Sequence, residues 1–177
     1  SRNEVIKYID LKLIPILDKI CEIYKQYSKG KYAFACCIKT VIDKDKVATL
    51  CRDSKSMEIR KEFSSEERTI KGNTAFEELF HRNKSYYIKN FVNEIDSYQN
   101  QTQNYHHFYN CVSVAPIRYY DERKNTYIVY GFFCIDVLAE KEYIPSDEEL
   151  ILCEIDERIR LIVRGTEVNI LKKYYKE

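Results

Sequence analysis

Two arginines stand at points in the sequence where a protein could bind an anionic group. Arg52 follows the apolar stretch VATLC, and Arg118 lies in the run VSVAPIRYY. A guanidinium at the end of a buried segment can hold an oxyanion through parallel hydrogen bonds. Each arginine also has a structural alternative, because Arg52 adjoins Asp53 and Arg118 could pair with Asp136 across a hairpin. The residues alone favour these ion pairs.

Aromatic and amide side chains add further candidates for a small-ligand site. The stretch HHFY (106–109) combines apolar bodies with polar tips, which suits a pocket wall, although a partly exposed helix face is the alternative interpretation. Asn73 and Phe76 lie in NTAFEELFHRN, where a helix cap and a core position are the simplest roles. The candidate ligand-binding residues are Arg52, Asn73, Phe76, Tyr109 and Arg118.

The chain has seven cysteines, an odd number, and no C-x-x-C motif. Most of them lie inside apolar stretches, where a free thiol behaves as a small hydrophobic side chain. We therefore expect structural cysteines and a reducing, cytoplasmic compartment. The cysteines are Cys21, Cys36, Cys37, Cys51, Cys111, Cys134 and Cys153.

These residues give little indication of a metal site or of a catalytic cysteine. A zinc site from Cys36, Cys37 and the His106-His107 pair is conceivable, but structural zinc sites usually show closely spaced ligand pairs. Cys111 with either histidine lacks a third, orienting group. We expect no metal, no cofactor and no catalytic residue, and a cysteine-based redox enzyme remains the enzymatic alternative.

The charge balance argues against broad electrostatic partners. The 177 residues include 29 Lys and Arg against 28 Asp and Glu, a net charge of +1. Such a chain has no overall field that would favour nucleic acid or an anionic membrane. No apolar run reaches the roughly 18 residues that a membrane helix needs. We expect neither partner for this segment.

The N-terminal stretch predicts a long helix over about residues 3–28. Its apolar residues recur three and four apart, which is typical of a dimerising helix pair. Pro15 interrupts the pattern and predicts a kink or a new helix start. The apolar seam consists of Ile6, Ile9, Leu13, Ile16, Ile20, Ile23 and Tyr27, widened by Leu17 and Tyr24.

Strand patterns follow this helix. Residues 32–42 and 47–53 predict a strand pair, 85–90 an edge strand, and 111–137 a strongly apolar hairpin. Its second strand is apolar on both faces, so we expect it at the centre of a sheet that is covered on both sides. Gly131 predicts a close approach of another group, and Pro116 predicts a bulge or a strand edge.

A short helix over 73–83 precedes this hairpin, and residues 97–110 predict a loop that leads into a short helix. Residues 54–72 have no clear pattern. After the hairpin, Ser146 and Glu149 form a capping box, which predicts a helix over 147 to about 174.

The hairpin sequence resembles a known family. VSVAPIRYY, a turn and then YIVYGFFCIDV are similar to the last strand pair of GAF domains, and KGNTAFEELF is similar to the mid-domain helix of some bacterial GAF-like proteins. The resemblance covers about residues 30–145. It implies an α+β fold with a central antiparallel sheet, long N- and C-terminal helices packed on one face, and short helices and loops on the other.

The resemblance also implies a division into an N-terminal signalling and dimerisation helix (1–30), a GAF-like core (31–145) and a C-terminal helix (146–177). The ligand pocket of the family lies between the sheet and the mid-domain helices. Terminal helices in the family commonly form a dimer bundle that relays a signal to a neighbouring domain. The apolar seam of the N-terminal helix points to the same dimer.

Subtypes of the family leave recognisable residues, and this chain departs from them. Cyclic-nucleotide-binding members carry Asn-Lys and then Phe-x-x-x-Asp-Glu, whereas this chain has Glu140 for the asparagine and Tyr143 for the phenylalanine. Bilin-binding members attach their chromophore at a Cys-His dipeptide, which does not occur here. These departures argue against both ligand classes. Arg52, Phe76, Tyr109 and the apolar sheet together predict a mostly hydrophobic cavity with few polar anchors, and hence a small, uncharged or weakly anionic ligand.

These observations predict a non-enzymatic sensory or regulatory domain within a larger protein. We expect it to form a homodimer through its terminal helices and to bind a small molecule between the sheet and residues 73–110. The alternative is a module of the same fold with a filled pocket, which acts by dimerisation alone. An empty, polar-lined cavity would favour the first hypothesis, and a core packed solid by Tyr and Phe would favour the second. Two exposed cysteines within bonding distance would favour the redox enzyme.

Overall fold

The N-terminal part of the chain is one continuous helical stretch. The computed structural model describes residues 2–60, 67–89, 92, 97–102 and 104–139. Helix α1 (Arg2–Tyr8) runs into a π-helical turn (Ile9–Leu13), which leads into α2 (Ile14–Tyr27). Pro15 lies at the start of α2, directly after the π-helical turn in which the Ile14 amide donates to the Ile9 carbonyl, and such a widened turn is a usual place for a proline in a continuous helix. The predicted interruption is thus a helix start that follows a widened turn.

Six strands form one antiparallel sheet, which confirms the predicted α+β class. The strand order is β3-β2-β1-β6-β5-β4, and each neighbouring pair is antiparallel. The strands are β1 (Ala33–Asp43), β2 (Lys46–Arg52), β3 (Arg68–Thr69), β4 (Tyr87–Lys89), β5 (Cys111–Asp121) and β6 (Thr126–Leu138).

Strand β6 lies at the centre of the sheet, as its apolar sequence predicts. Gly131 allows the predicted close approach of another group, since a Cβ atom there would meet the Lys39 carbonyl oxygen of β1 at 2.6 Å. Pro116 pairs with Phe132 of β6 and lies beyond the last residue that β4 pairs, so its missing N–H is tolerated. The register of β5 shifts directly after Ile117, which gives the predicted irregularity near the proline.

The two faces of the sheet carry separate apolar layers. On one face the N-terminal helix packs against the sheet through Ile9, Leu13, Leu17, Ile20 and Tyr24. The other face is covered by a second layer that includes Phe76, Leu79, Tyr98 and Tyr109. Both faces of the central strands are therefore buried, which explains why their sequences do not alternate.

The elements on the second face are short. Helix α3 (Ser54–Ile59) follows β2, α4 (Thr74–His81) follows β3, and a 3₁₀ turn (Tyr105–His107) precedes β5. The predicted short helix within 73–83 and the predicted edge strand within 85–90 are present as α4 and β4. Helix α3 and strand β3 come from the stretch 54–72, which the sequence left without an assignment.

Several predictions fall on residues outside the described part of the chain. These include the C-terminal helix, the residues compared with cyclic-nucleotide-binding members, and Cys153. The division into 1–30, 31–145 and 146–177 stays a prediction. Within the described residues, no helix combines the length and the apolar character needed to cross a membrane.

Candidate ligand-binding cavity

A cavity lies between the second face of the sheet and the elements that cover it. Its floor comes from β1, β2, β5 and β6, and its walls come from α4 and from residues 97–102 and 104–109, which we call the cavity segment. The centre of a water molecule can occupy about 60 Å³ of it. Since one buried water needs about 10–15 Å³ on this measure, the space suits several waters or a small ligand.

Hydrogen bonds hold the cavity segment against its neighbours. The Thr74 hydroxyl donates to the Ser97 carbonyl at 3.2 Å and accepts from the Gln99 amide at 2.8 Å. The Gln101 side chain accepts from the Thr69 amide at 2.9 Å and donates to the Lys71 carbonyl at 2.9 Å. The segment is thus fixed to α4 and to β3, which places its side chains over the sheet.

Arg52 ends β2 and lines the cavity with an unsatisfied guanidinium. Its residue exposure is 7%, and its Nε and Nη1 atoms are buried with no hydrogen-bond partner in the described chain. Asp53 does not pair with it: this carboxylate accepts from the Cys36 amide at 2.8 Å and caps α3 through the Ser56 amide at 2.9 Å. The local ion pair that the sequence favoured is therefore absent from the structure.

A buried ion pair joins the floor of the cavity to the end of α3. The Arg60 guanidinium contacts the Asp136 carboxylate at 2.5 Å, and both side chains are about nine-tenths buried. Burial opposes the charged guanidinium, but the adjacent carboxylate outweighs it and raises the pKa of Arg60. Arg60 also lies over the Phe108 ring at 4.8 Å. The sequence did not indicate Arg60 as a candidate, because it lies within residues 54–72, which have no clear pattern.

Arg118 lies away from the cavity, which corrects two predictions. Its guanidinium donates to the Asn83 side chain at 3.0 Å and lies over the Tyr127 ring at 4.3 Å. It does not line the cavity and does not pair with Asp136, whose partner is Arg60. Both residues are on the hairpin, but Asp136 is opposite Val112 and Arg118 is opposite Val129, so the two charges lie far apart along the strands.

The other three candidates line the cavity. Asn73 caps α4, accepting from the Phe76 amide at 3.1 Å, and both of these side chains face the space. Phe76 stacks on Phe132 with ring centroids 4.4 Å apart. Tyr109 shares a hydrogen bond of 3.3 Å with Tyr98. The structure thus brings Arg52, Asn73, Phe76 and Tyr109 to one site.

Burial keeps the two phenols protonated. It raises the pKa of Tyr98 and of Tyr109 well above the usual range for tyrosine. The Asn100 side-chain amide donates to the Tyr109 hydroxyl, which fixes one end of the pair. The cavity therefore presents neutral hydroxyl groups beside a charged guanidinium. Tyr98 and Asn100 lie in an amide-rich loop sequence that carried no signal of its own.

The architecture of the chain matches solved structures of low sequence identity. The GAF domain/HD domain protein from Geobacter sulfurreducens has a TM-score of 0.59 and 12% identity, with 92% of each chain covered. The chain has a GAF-like fold. The GAF domain region of a putative membrane protein from Geobacter sulfurreducens PCA has a TM-score of 0.58 and 14% identity, with 90% of this chain and 97% of that chain covered.

A photoreceptor shares the same fold. A far-red cyanobacteriochrome photoreceptor has a TM-score of 0.53 and 13% identity, with 92% of this chain and 95% of that chain covered. No protein-family model and no curated protein matches the chain. At these identities the likeness concerns the GAF-like fold.

Two thiol pairs lie on opposite faces of this GAF-like sheet. Cys36 faces the N-terminal helix, and its sulfur lies 3.4 Å from the sulfur of Cys21 on that helix. Cys37 faces the cavity and is paired in register with Cys134 of β6. Of the six described cysteines, all free, five are buried and Cys21 is half-exposed. Two exposed cysteines within bonding distance would favour the redox hypothesis, and neither of these pairs has both thiols exposed.

The Cys37 thiol has an unusual electrostatic setting. A hydrogen bond from the Cys134 thiol and the nearby charges of Arg52 and Lys39 outweigh burial and lower the pKa of Cys37 to about 6. In the same pair, the Cys37 hydrogen bond and burial raise the pKa of Cys134. A negative charge on Cys37 thus lies in a cationic part of the cavity.

The residues considered for zinc and for nucleophilic catalysis do not come together. Cys36 and Cys37 point to opposite faces of β1, and His106 and His107 are exposed in the 3₁₀ turn. Cys111 is fully buried in the layer under the N-terminal helix. Among the described residues, no cluster of three or more potential ligands could hold a metal ion.

Proposed function

We propose that this GAF-like domain is a non-enzymatic sensory or regulatory module that binds a small organic molecule in the cavity. The observation that carries the proposal is the cavity itself, which combines aromatic walls with a few polar groups that converge on one space. Small-molecule sites in proteins have this composition. The cavity also favours a sensor over a module whose core is packed solid.

The proposal includes a homodimer that forms through the N-terminal helix and relays the ligand signal to the rest of a larger protein. Three large apolar side chains of this helix remain exposed: Ile6 at 40%, Leu11 at 61% and Ile23 at 45%. Exposed apolar side chains on a helix that also packs on the sheet suit contact with a second copy. Free cysteines support a reducing, cytoplasmic compartment.

A ligand screen by thermal unfolding and ligand-observed NMR tests the sensor function. A ligand at about 100 times its dissociation constant should stabilise the fold by roughly 2.7 kcal/mol. Tyr109→Phe removes a cavity hydroxyl and keeps the ring, so it should weaken binding. Tyr120→Phe, at a residue 44% exposed on the hairpin, is the matched control.

The result decides between the two functions. Binding that Tyr109→Phe weakens and Tyr120→Phe leaves unchanged would support the sensor. If no class of metabolite binds, the dimerisation module becomes the better account. That second function rests on the exposed apolar residues of the N-terminal helix and needs no ligand.

A further inference from the structure

We propose that the ligand of this cavity is a small organic carboxylate and that Arg52 is the residue that binds its charged group. This inference rests on the proposed ligand-binding function and names the chemical class that the site recognises. It goes beyond the sequence, which favoured an ion pair for Arg52 and an uncharged or weakly anionic ligand.

The first step is the unmet hydrogen-bonding capacity of Arg52. The residue is only 7% exposed. Two of its three guanidinium nitrogens, Nε and Nη1, have no hydrogen-bond partner within the described chain. Buried charged groups in proteins are normally paired, because an unpaired one has a large desolvation cost. A guanidinium that is held beside a cavity in this state is complementary to an oxyanion inside it.

The second step is the balance of charge around the cavity. Four cationic residues line it, and the one carboxylate among the described lining residues, Asp136, is already engaged by Arg60. The other cations are Lys39, Arg52 and Arg68. The pKa of Cys37 is lowered first by the Cys134 hydrogen bond and then by the charges of Arg52 and Lys39, which agrees with a positive potential there.

The third step favours a carboxylate over a phosphate. The walls are largely aromatic and aliphatic, with Phe76, Phe108 and Val112 among them, which suits an organic body next to the charge. Phosphate sites usually add several backbone N–H groups at a helix start. Here the first turn of α4 already uses its amides, since Phe76 donates to Asn73 and Thr74 donates to the Gln99 carbonyl.

The Cys37 thiolate is the competing partner for Arg52. The charge of Arg52 helps to lower the pKa of Cys37, so a bound carboxylate and the Cys37 thiolate would compete for the same positive charge. Carboxylate binding should therefore raise the pKa of Cys37, and binding should become tighter as pH falls toward about 6 and change little below it, where the thiol is already protonated. A neutral ligand would show no such linkage.

The experiment compares butanoate with butanamide, which has the same shape without the charge, and adds inorganic phosphate at equal ionic strength. Binding to the ¹⁵N-labelled protein is followed through the Arg52 Nε–H signal and the backbone amides around the cavity. Arg52→Met keeps the length of the side chain and removes the charge. Arg123→Met, in the exposed hairpin turn, is the matched control for lost charge.

We expect butanoate to shift the Arg52 Nε–H signal and to bind at least about tenfold more tightly than butanamide, as for hydrogen bonds to charged groups. Arg52→Met should remove that difference, and Arg123→Met should keep it. Equal binding of butanoate and butanamide, unaffected by Arg52→Met, would overturn the carboxylate and leave the sensor function standing. Phosphate binding through Arg52 in preference to butanoate would also overturn it.

Loss of both functions has a separate signature. If neither probe binds and the metabolite screen of the proposed function finds no ligand, the cavity is not a binding site, and both proposals fail. The comparison of butanoate with butanamide uses the unaltered protein, so it decides the question even if Arg52→Met does not fold.

Discussion

At the scale of single residues, the most informative feature is a buried arginine whose neighbours do not satisfy it. Asp53 directly follows Arg52 in the chain, yet its carboxylate serves the Cys36 amide and the first turn of α3. A carboxylate that caps a helix and binds a strand amide has little capacity left for a cation. Adjacent charges in a sequence therefore did not predict a pair in space.

Arg52 should lower the free energy of unfolding of the protein when no ligand is bound. Replacing it by methionine removes a buried charge without a hydrogen-bond partner in the described chain and keeps most of its packing. We expect Arg52→Met to raise the free energy of unfolding by about 1–3 kcal/mol, the usual cost of a buried unsatisfied group. Urea unfolding without ligand, at a pH below about 6 where the Cys37 thiol is protonated, measures the change, and Arg123→Met should alter it little. A clear loss of stability would show that Arg52 has a structural partner.

Cys37 should make stability depend on pH in a defined window. Its pKa is about 6 in the folded protein, below the value of about 8.5 expected for an unfolded cysteine. The folded state then binds fewer protons than the unfolded state between these values, so stability rises with pH through the window and is lost as pH falls through 6.

The measurement is urea unfolding over this pH range for the unaltered protein and for Cys37→Ser. The stability difference between them should grow as pH increases from about 6 to about 8.5. Cys51→Ser is the control, because burial raises the pKa of Cys51 and keeps its thiol protonated throughout the window. Parallel pH curves for the protein and Cys37→Ser would refute a thiolate at Cys37.

At the scale of elements, the N-terminal helix serves two surfaces with one apolar seam. Ile9, Leu13 and Ile20 of the predicted seam are buried against the sheet of their own chain, while Ile6 and Ile23 are exposed. The seam is therefore not a simple coiled-coil interface. Substitutions that test dimerisation must avoid the residues that the sheet already buries.

Ile6→Glu combined with Ile23→Glu should give a folded monomer. Both side chains are 40% or more exposed, so charge there should change the stability of the protomer by no more than about 0.5 kcal/mol. Light scattering gives the mass, and circular dichroism checks the fold. By contrast, Ile20→Glu should unfold the protein, because Ile20 is 6% exposed and a charge would be buried without a partner. An unchanged mass in the double variant would exclude this helix surface from the interface.

Gly131 should be essential for the contact between β6 and β1. A Cβ atom at this position would lie 2.6 Å from the Lys39 carbonyl oxygen, and a backbone group in the middle of a sheet cannot move aside easily. We expect Gly131→Ala to lower the free energy of unfolding by about 1–3 kcal/mol. Chemical denaturation measures this, with Thr126→Ala at the exposed start of β6 as the control. A neutral Gly131→Ala would mean that the two strands separate at little cost.

At the scale of the whole molecule, the sheet separates two chemically different sides. The N-terminal helix covers an apolar layer, and the cavity side combines aromatic rings with the charged groups around Arg52. Adjacent cysteines of β1 show the division directly, because Cys36 belongs to the first side and Cys37 to the second. A ligand in the cavity and a partner on the helix would act on opposite faces of the same strands.

Thiol reactivity should follow this arrangement. Among the described cysteines, Cys21 is half-exposed and the other five are buried, so Cys21 should react first with an alkylating reagent in the native protein. Peptide mapping by mass spectrometry gives the order, and unfolded protein provides the control with every thiol accessible. Butanoate should further slow the labelling of Cys37. Rapid labelling of most of the cysteines in native protein would instead revive the redox hypothesis.

The sequence by itself determined the class of the fold and most of its elements. Continuous apolar strands, the glycine in β6 and the capping asparagine of α4 are local signals, and each follows from backbone geometry or from burial on both faces. Three of the four candidates that line the cavity, Asn73, Phe76 and Tyr109, lie on the covering elements that the GAF resemblance singled out.

Only the tertiary structure decided which charged groups meet. Asp136 pairs with Arg60, 76 positions away, and not with Arg118 on the neighbouring strand. Arg52 lines the cavity, and the Asp53 carboxylate accepts from the Cys36 and Ser56 amides instead of from the Arg52 guanidinium. Ion pairs depend on distance and burial in three dimensions, and a one-dimensional pattern contains neither. Packing between residues far apart in the sequence likewise determines that the sheet buries Ile9, Leu13 and Ile20 of the helical seam and leaves Ile6 and Ile23 exposed.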